Sequence, residues 1–284
     1  MHRTPTLLED LSVEITARDT ATLVAHAGDL PAGTRVSVTH LGTEGAAERR
    51  EAAAAAARAA LVPVPHVAAR RLASPSELAS TLEGLRRHDA HGRLFVVGGD
   101  PRTPTGPYAS ALDVIASGAL ATAGVREVGI GAYPEGHPAI ADDALWAALD
   151  AKVAAIADQG LAGSLTTQFS FDVDAVLTWV ERIRERGIEL PVRVGVPGPA
   201  GVRRLIAFAR RCGVGTSAGI ARKYGFSLAS LAGTAGPDAF VEDLGARLTP
   251  EHGEVRLHLY TFGTLDATIA WAAAARMAAT APAG

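Results

Sequence analysis

A chain of 284 residues, 48% hydrophobic and 20% charged, is long enough to bury a sizeable core. Its formal net charge of -3 gives no concentrated basic face, and the arginines of "RIRER" and "RRLIAFARR" read as helix surfaces, so nucleic acid is not an expected partner. The single cysteine, Cys212, excludes an internal disulfide framework and a thiolate metal cluster. No apolar leader or membrane-length run occurs, which makes a cytoplasmic setting without a membrane partner the default.

Taken in order, short β-like runs alternate with helical ones. Strands are expected at 11–15 (LSVEI), 34–40 (TRVSVTH), 62–67 (VPVPHV), 93–99 (RLFVVGG), 126–132 (REVGIGA), 163–169 (GSLTTQF), 191–196 (PVRVGV) and 254–260 (EVRLHLY). Alanine, the strongest helix former, makes "EAAAAAARAALVPV" a helix that leads into a strand. "SPSELASTLEGLRRH" opens on a capping pattern in which Ser74 and Ser76 compete for the cap. "DVDAVLTWVERIRERG" has apolar residues at helical spacing and a terminal glycine. Eight β-then-α units point to a parallel sheet closed as a (β/α)8 TIM barrel, with residues 1–284 a single domain and extra helices in 197–253. The rival open doubly wound sheet lacks support, since "TARDTATL" rather than a glycine-rich turn follows the first strand.

A barrel of this kind builds its active site at the C-terminal ends of its strands. Those ends carry Glu14, Thr39, His40, His66, Asp100, Tyr133 with His137, Gln168 and Tyr260. Strand alternation places Val13 and Ile15 on one face and Glu14 on the other, towards the interior, where a desolvated carboxylate suits a general acid. Asp100 follows Gly98 and Gly99, which let the backbone approach a ligand. Each residue has a plainer reading as well. Glu14 could be solvated beyond a short strand, Asp100 a turn former before proline, and His40 and His66 satisfied core histidines. No two histidines share the spacing of a metal site on one helix, and no metal is expected.

These segments, in this order, resemble the methylenetetrahydrofolate reductase family in its short form, the catalytic barrel alone. "GAYPEGHP" (131–138) is similar to its A-Y-P-E-x-H-P segment, and "TTQFSFD" (166–172) to its T-Q-[FL]-x-[FY]-D signature. "VSVTHLG" (36–42), "VPHV" (64–67), "GGDPRTPTGPYAS" (98–110) and "HLYTFG" (258–263) resemble further family segments. The resemblance implies reduction of 5,10-methylenetetrahydrofolate to 5-methyltetrahydrofolate by NADH or NADPH in one-carbon metabolism, either through bound FAD or, as in some relatives, by direct hydride transfer. By the same resemblance Glu14 is the general acid, while Asp100 and Gln168 hold the folate and take part in catalysis. Thr39, His40, His66, Gly99, Asp100, Ala109, Tyr133, His137 and Lys152 are implied as cofactor-binding positions.

The departures cluster around the cofactor. The family's F-E-F-F-P-P start is "VEITAR" here, the arginine before its G-D is Gly98, Ala151 stands where a basic residue is common, and Gly263 and Thr264 replace Asn and Arg. Lost cations weaken a diphosphate site, since a charge-assisted hydrogen bond contributes roughly 1.5–3 kcal/mol. Two alternatives share the fold: a folate-linked demethylation or C1-salvage enzyme, and a non-catalytic folate- or flavin-binding partner subunit. A homo-oligomer is compatible with the apolar helix faces but is not read from them.

Overall fold

The computed structural model describes residues 5–212 and 234–280. Eight parallel strands close into a barrel in the order β1-β10-β7-β6-β5-β4-β3-β2. They are β1 (Ser12–Ile15), β2 (Arg35–Val38), β3 (Val62–Ala68), β4 (Arg93–Val97), β5 (Glu127–Ala132), β6 (Ala162–Thr167), β7 (Val192–Pro197) and β10 (Val255–Tyr260). Two short strands, β8 (Ala200–Gly201) and β9 (Thr234–Ala235), pair antiparallel outside the barrel. All eight expected strands are present, with ends shifted by one or two residues. β2, β4 and β6 stop at Val38, Val97 and Thr167, so Thr39, His40, Gly99 and Gln168 lie in the loops beyond them. Of the stretch 197–253, helices Val202–Cys212 and Asp238–Arg247 are seen, and 213–233 lie outside the described residues. No described helix is long and apolar enough to cross a membrane.

Two units are distinguished by their internal contacts. The first draws on Glu14–Ala132 and Trp146–Thr166. In β4 burial alternates residue by residue. Val36, Val38, Leu94, Val96, Val128 and Ile130 are buried on the helix-facing side, and each such side chain contributes about 1.5–3 kcal/mol. The helix Ala46–Arg58 buries Ala52 to Ala56 in one run, because a side chain of one methyl lets the helix lie close on β2 and β3. Ser74, not Ser76, caps the helix Pro75–Arg86: its Oγ accepts from the Glu77 amide at 3.1 Å, while Ser76 bonds Ser74 itself.

On the inner side of this unit the first residues of three strands meet. The Glu127 carboxylate accepts from Arg35 Nη1 and, at 3.0 Å, from Arg93 Nε. Burial alone would raise the Glu127 pKa, but Arg35, Ser164 and Arg93 together outweigh it and hold the carboxyl below its usual range. Further along the strands Phe95 stands opposite Gly129, where a Cβ would lie 2.8 Å from its ring.

The second unit draws on Met1–Val13, Tyr133–Leu145 and Thr167–Gly284. Val192, Val194, Val196, Leu257 and Leu259 face its helices. The helix Val173–Glu185 presents Val173, Val176, Leu177, Val180 and Ile183 at helical spacing; Asp172 caps it, and Gly187 follows it with φ 75°. On the other strand face Arg193 is 4% exposed and donates to the Asp10 carbonyl at 2.6 Å and to its carboxylate at 2.5 Å. Ser12 Oγ lies 2.8 Å from His258 Nδ1, and Tyr260 OH donates to the Thr167 carbonyl.

Glu127→Gln is expected to cost about 3 kcal/mol, because it leaves two half-buried guanidinium groups without their counter-charge. The folded carboxyl titrates below the free value of 4.5. Its stabilisation is therefore present above that pH and is lost as the pH falls through the lower folded value. Denaturant melts of parent and variant across the acid range should converge; a constant gap would contradict the assignment.

Candidate functional site

Since β1 to β3 are parallel neighbours, their C-terminal ends bring Glu14, His40 and His66 together in the first unit. Glu14 Oε2 is 3.7 Å from His66 Nε2, with the two side chains 19% and 9% exposed, and the His66 ring packs on Phe95 at 4.8 Å. Thr39 closes the end of β1: its amide and its hydroxyl both donate to the Ile15 carbonyl, at 2.9 and 3.0 Å. His40 Nδ1 accepts from the Ala68 amide at 3.4 Å. Burial first, then Arg49, Arg71 and His66, pull the His40 pKa down from 6.5 to about 4, so this imidazole is neutral near pH 7.

The loop after β4 holds the next residues. Gly99 sits at φ 90°, where a Cβ would also approach Ala68 Cβ to 3.1 Å, so glycine is required on both counts. Asp100 is 74% exposed and lies 3.5 Å from Arg71 Nη2. Ala109 is fully engaged through its backbone, with its carbonyl accepting from Arg70 Nε at 2.7 Å and its amide donating to Asp113 at 2.8 Å. Lys152, on the helix Asp142–Asp158, is half-buried, and burial lowers its pKa. A desolvated ammonium of this kind is stabilised by an anion brought to it.

In the second unit the segments after β5 and β6 are joined. Ser170, 1% exposed, donates to Glu135 Oε1 at 2.5 Å and accepts from the Asp172 amide at 2.9 Å. Tyr133 and His137 meet edge to face at 5.2 Å. Gln168 turns its Oε1 back to its neighbour's amide, accepting from Phe169 N–H at 3.1 Å. Beside it Phe169 packs against Phe171, Tyr260 and Phe262, and Phe208 joins through Phe262 at 4.4 Å. Phe262 has φ 48°, a left-handed conformation that a phenylalanine rarely adopts.

Three features here escape a reading of strand ends. Arg71 was visible only as the second of two arginines behind β3, Ser170 occupies the variable position of its signature, and Phe208 lies inside a run that reads as helix surface. A cavity of about 520 Å³ lies elsewhere in the second unit. It is lined by Leu177, Glu181, Arg184 and His252, among others, on the turn that precedes β10, hence away from the strand C-termini. Among the described residues no group of three His, Cys, Asp or Glu side chains is placed to hold a metal.

The family model described as methylenetetrahydrofolate reductase matches residues 23–269. Solved structures share the fold. An uncharacterized protein from Clostridium thermocellum that binds two copies of 5-methyl-5,6,7,8-tetrahydrofolic acid is 11% identical, with a TM-score of 0.59 over 94% of this chain and 95% of that one. A protein from Burkholderia cenocepacia J2315 provisionally named a phosphonomutase is 17% identical, with a TM-score of 0.54 over 98% and 95%.

The depressed His40 pKa has a signed consequence. An unfolded chain takes this proton near 6.5 and the folded chain near 4, so His40 contributes stability above pH 6.5 that is lost as the pH falls towards 4. His40→Asn should flatten the fall in unfolding free energy across that window, measured by denaturant titration. An unchanged slope would refute it.

Proposed function

The chain belongs to the methylenetetrahydrofolate reductase family, and on that premise we propose that it reduces 5,10-methylenetetrahydrofolate to 5-methyltetrahydrofolate at the expense of NADH or NADPH. One observation carries the reading: a half-buried carboxylate, Glu14, stands at the C-terminal end of its strand, 3.7 Å from His66. A carboxyl group there is suited to give up a proton in a site of restricted water. The folate bound by the similarly folded Clostridium thermocellum protein supports the substrate class.

In this mechanism Glu14 delivers a proton to N10 of the folate as the bond from the bridging carbon to N10 breaks. The carbon remains on N5 as an iminium, and a hydride from the reduced nicotinamide converts it to the methyl group. His66, in contact with Glu14 and braced by Phe95, orients the acid. Asp100, mostly exposed in its loop, is free to turn towards the pterin's N–H groups, which a carboxylate accepts. Gln168 holds the ligand through its amide, which both donates and accepts; the contact to Phe169 is the one it would exchange.

FAD, when bound, would supply a hydride relay between nicotinamide and folate. Thr39, His40, His66, Gly99, Ala109, Tyr133, His137 and Lys152 are the residues that would hold it, and the desolvated ammonium of Lys152 fits a diphosphate. The barrel would work as one catalytic domain without a metal.

Glu14→Gln should leave the thermal melt unchanged and lower folate-dependent NADH oxidation by at least about a hundred-fold. Turnover equal to the parent's would sink the assignment. An absorbance spectrum of the parent after incubation with FAD and desalting separates the routes: a retained flavin band assigns the relay, and a colourless, active protein assigns direct transfer.

A further inference from the structure

The arginines that follow β3 hold the β4 loop in different ways. Arg70 is a structural latch, donating to the carbonyls of Ala109 and Pro101. Arg71 is not. Its guanidinium lies flat on Gly42, where an added Cβ would stand 2.3 Å from Nη1 and 2.5 Å from Nη2. Its Nε is buried without a hydrogen-bond acceptor, and its counter-charge is the 74% exposed Asp100 at 3.5 Å. An exposed pair at that distance is weak and readily exchanged.

The surroundings add positive potential. Arg49 stands within electrostatic range of Arg71, donates to the Glu44 carbonyl at 2.6 Å and is offset by the buried Glu44 carboxylate. His40 is near enough to feel both arginines. Thus Arg49 has an internal partner, whereas Arg71 has a surface partner that an incoming anion can displace. His40 follows β2, Arg49 stands in the first turn of the helix Ala46–Arg58 beyond it, Arg71 ends the short turn after β3 and Asp100 lies after β4, all beyond the strand ends that carry Glu14 and His66. Meanwhile Gly98 faces open space: a Cβ there would meet nothing within 4 Å.

We propose that Arg71, backed by Arg49, forms a subsite for the diphosphate of a dinucleotide, carried by FAD or by NAD(P)H alike, and supplies from the end of β3 the cation that position 98 lacks. The ligand class rests on the function proposed above. A guanidinium offers two parallel N–H donors to one phosphate, which fits an anion of that kind better than the single long contact to Asp100. The flat approach over Gly42 fixes the plane of the fork. Reaching the subsite from β3 rather than from β4 leaves the space at Gly98 open.

The test is calorimetric titration of the purified protein with ADP-ribose, which has the diphosphate but neither nicotinamide nor flavin. Arg71→Ala should weaken ADP-ribose roughly ten- to a hundred-fold and leave 5-methyltetrahydrofolate binding unchanged. Gly42→Ala should weaken it as well, by pushing the guanidinium aside without removing its charge. The double variant Arg71→Ala with Gly98→Arg should recover binding, since the new side chain has room. Separate titrations with FAD and NADH then show which dinucleotide uses the subsite. Should Arg71→Ala fail to fold, Arg71→Lys and Gly42→Ala give the same comparison. Unaltered ADP-ribose affinity in Arg71→Ala overturns the proposal, as does a parent that binds no ADP-ribose. A loss confined to 5-methyltetrahydrofolate overturns it too, assigning the cation to the folate's carboxylates. Folate turnover that survives any of these results leaves the proposed reaction standing.

Discussion

The carboxylate of Glu127 sets the register on which the first unit depends. Two arginines, each the first residue of its strand, converge on it from β2 and β4. With Arg93 opposite Glu127, Phe95 falls opposite Gly129 and His66 falls opposite Phe95. A slip of one residue would exchange the two faces of a strand. It would put Arg35 or Arg93 among the helix-facing valines and turn His66 away from Glu14. The cost of burying an unpaired guanidinium makes that slip prohibitive. A charge cluster at one end of the strands thereby helps to fix where His66 stands further along β3. In the second unit Arg193 ties β7 to the turn at Asp10.

Burial works against protonation at two bases near the strand ends. His40 stays neutral because burial and two arginines oppose its protonation. Lys152 is driven the same way by burial alone. The positive potential of Arg49 and Arg71 therefore acts beside a neutral His40 imidazole. Desolvation is the common cause, acting on bases of different strength.

Much of this was legible in the sequence. The strand faces of β1 were set by Val13, Glu14 and Ile15, and the interior position of Glu14 follows from alternation alone. The family segments mark the loops correctly because they are contiguous in sequence. What stayed hidden depends on reach between loops. Nothing local indicates that Arg71 lies across Gly42, or that Gly42 is glycine for that reason. The choice of Ser74 over Ser76 as cap turns on a hydrogen-bond direction that composition does not fix. Ends of strands were overrun at His40, Gly99 and Phe169, where apolar or β-branched residues continue into a loop stabilised by contacts from neighbouring strands, such as Thr39 on Ile15.

The link from Ser170 to Glu135 has a dynamic consequence. A hydroxyl that is 1% exposed and bonded to a carboxylate across two loops makes them one mechanical element. Neither segment can leave its place without breaking that bond, and Ser170 also accepts from the amide of Asp172, the residue whose side chain caps the following helix. The two loops should therefore open and close as a single cooperative unit on the timescale of amide exchange, rather than as independent flaps. A ligand that orders one of them orders the other at no additional entropic cost, so Tyr133 and Gln168 would respond to binding in concert even when only one of them touches the ligand.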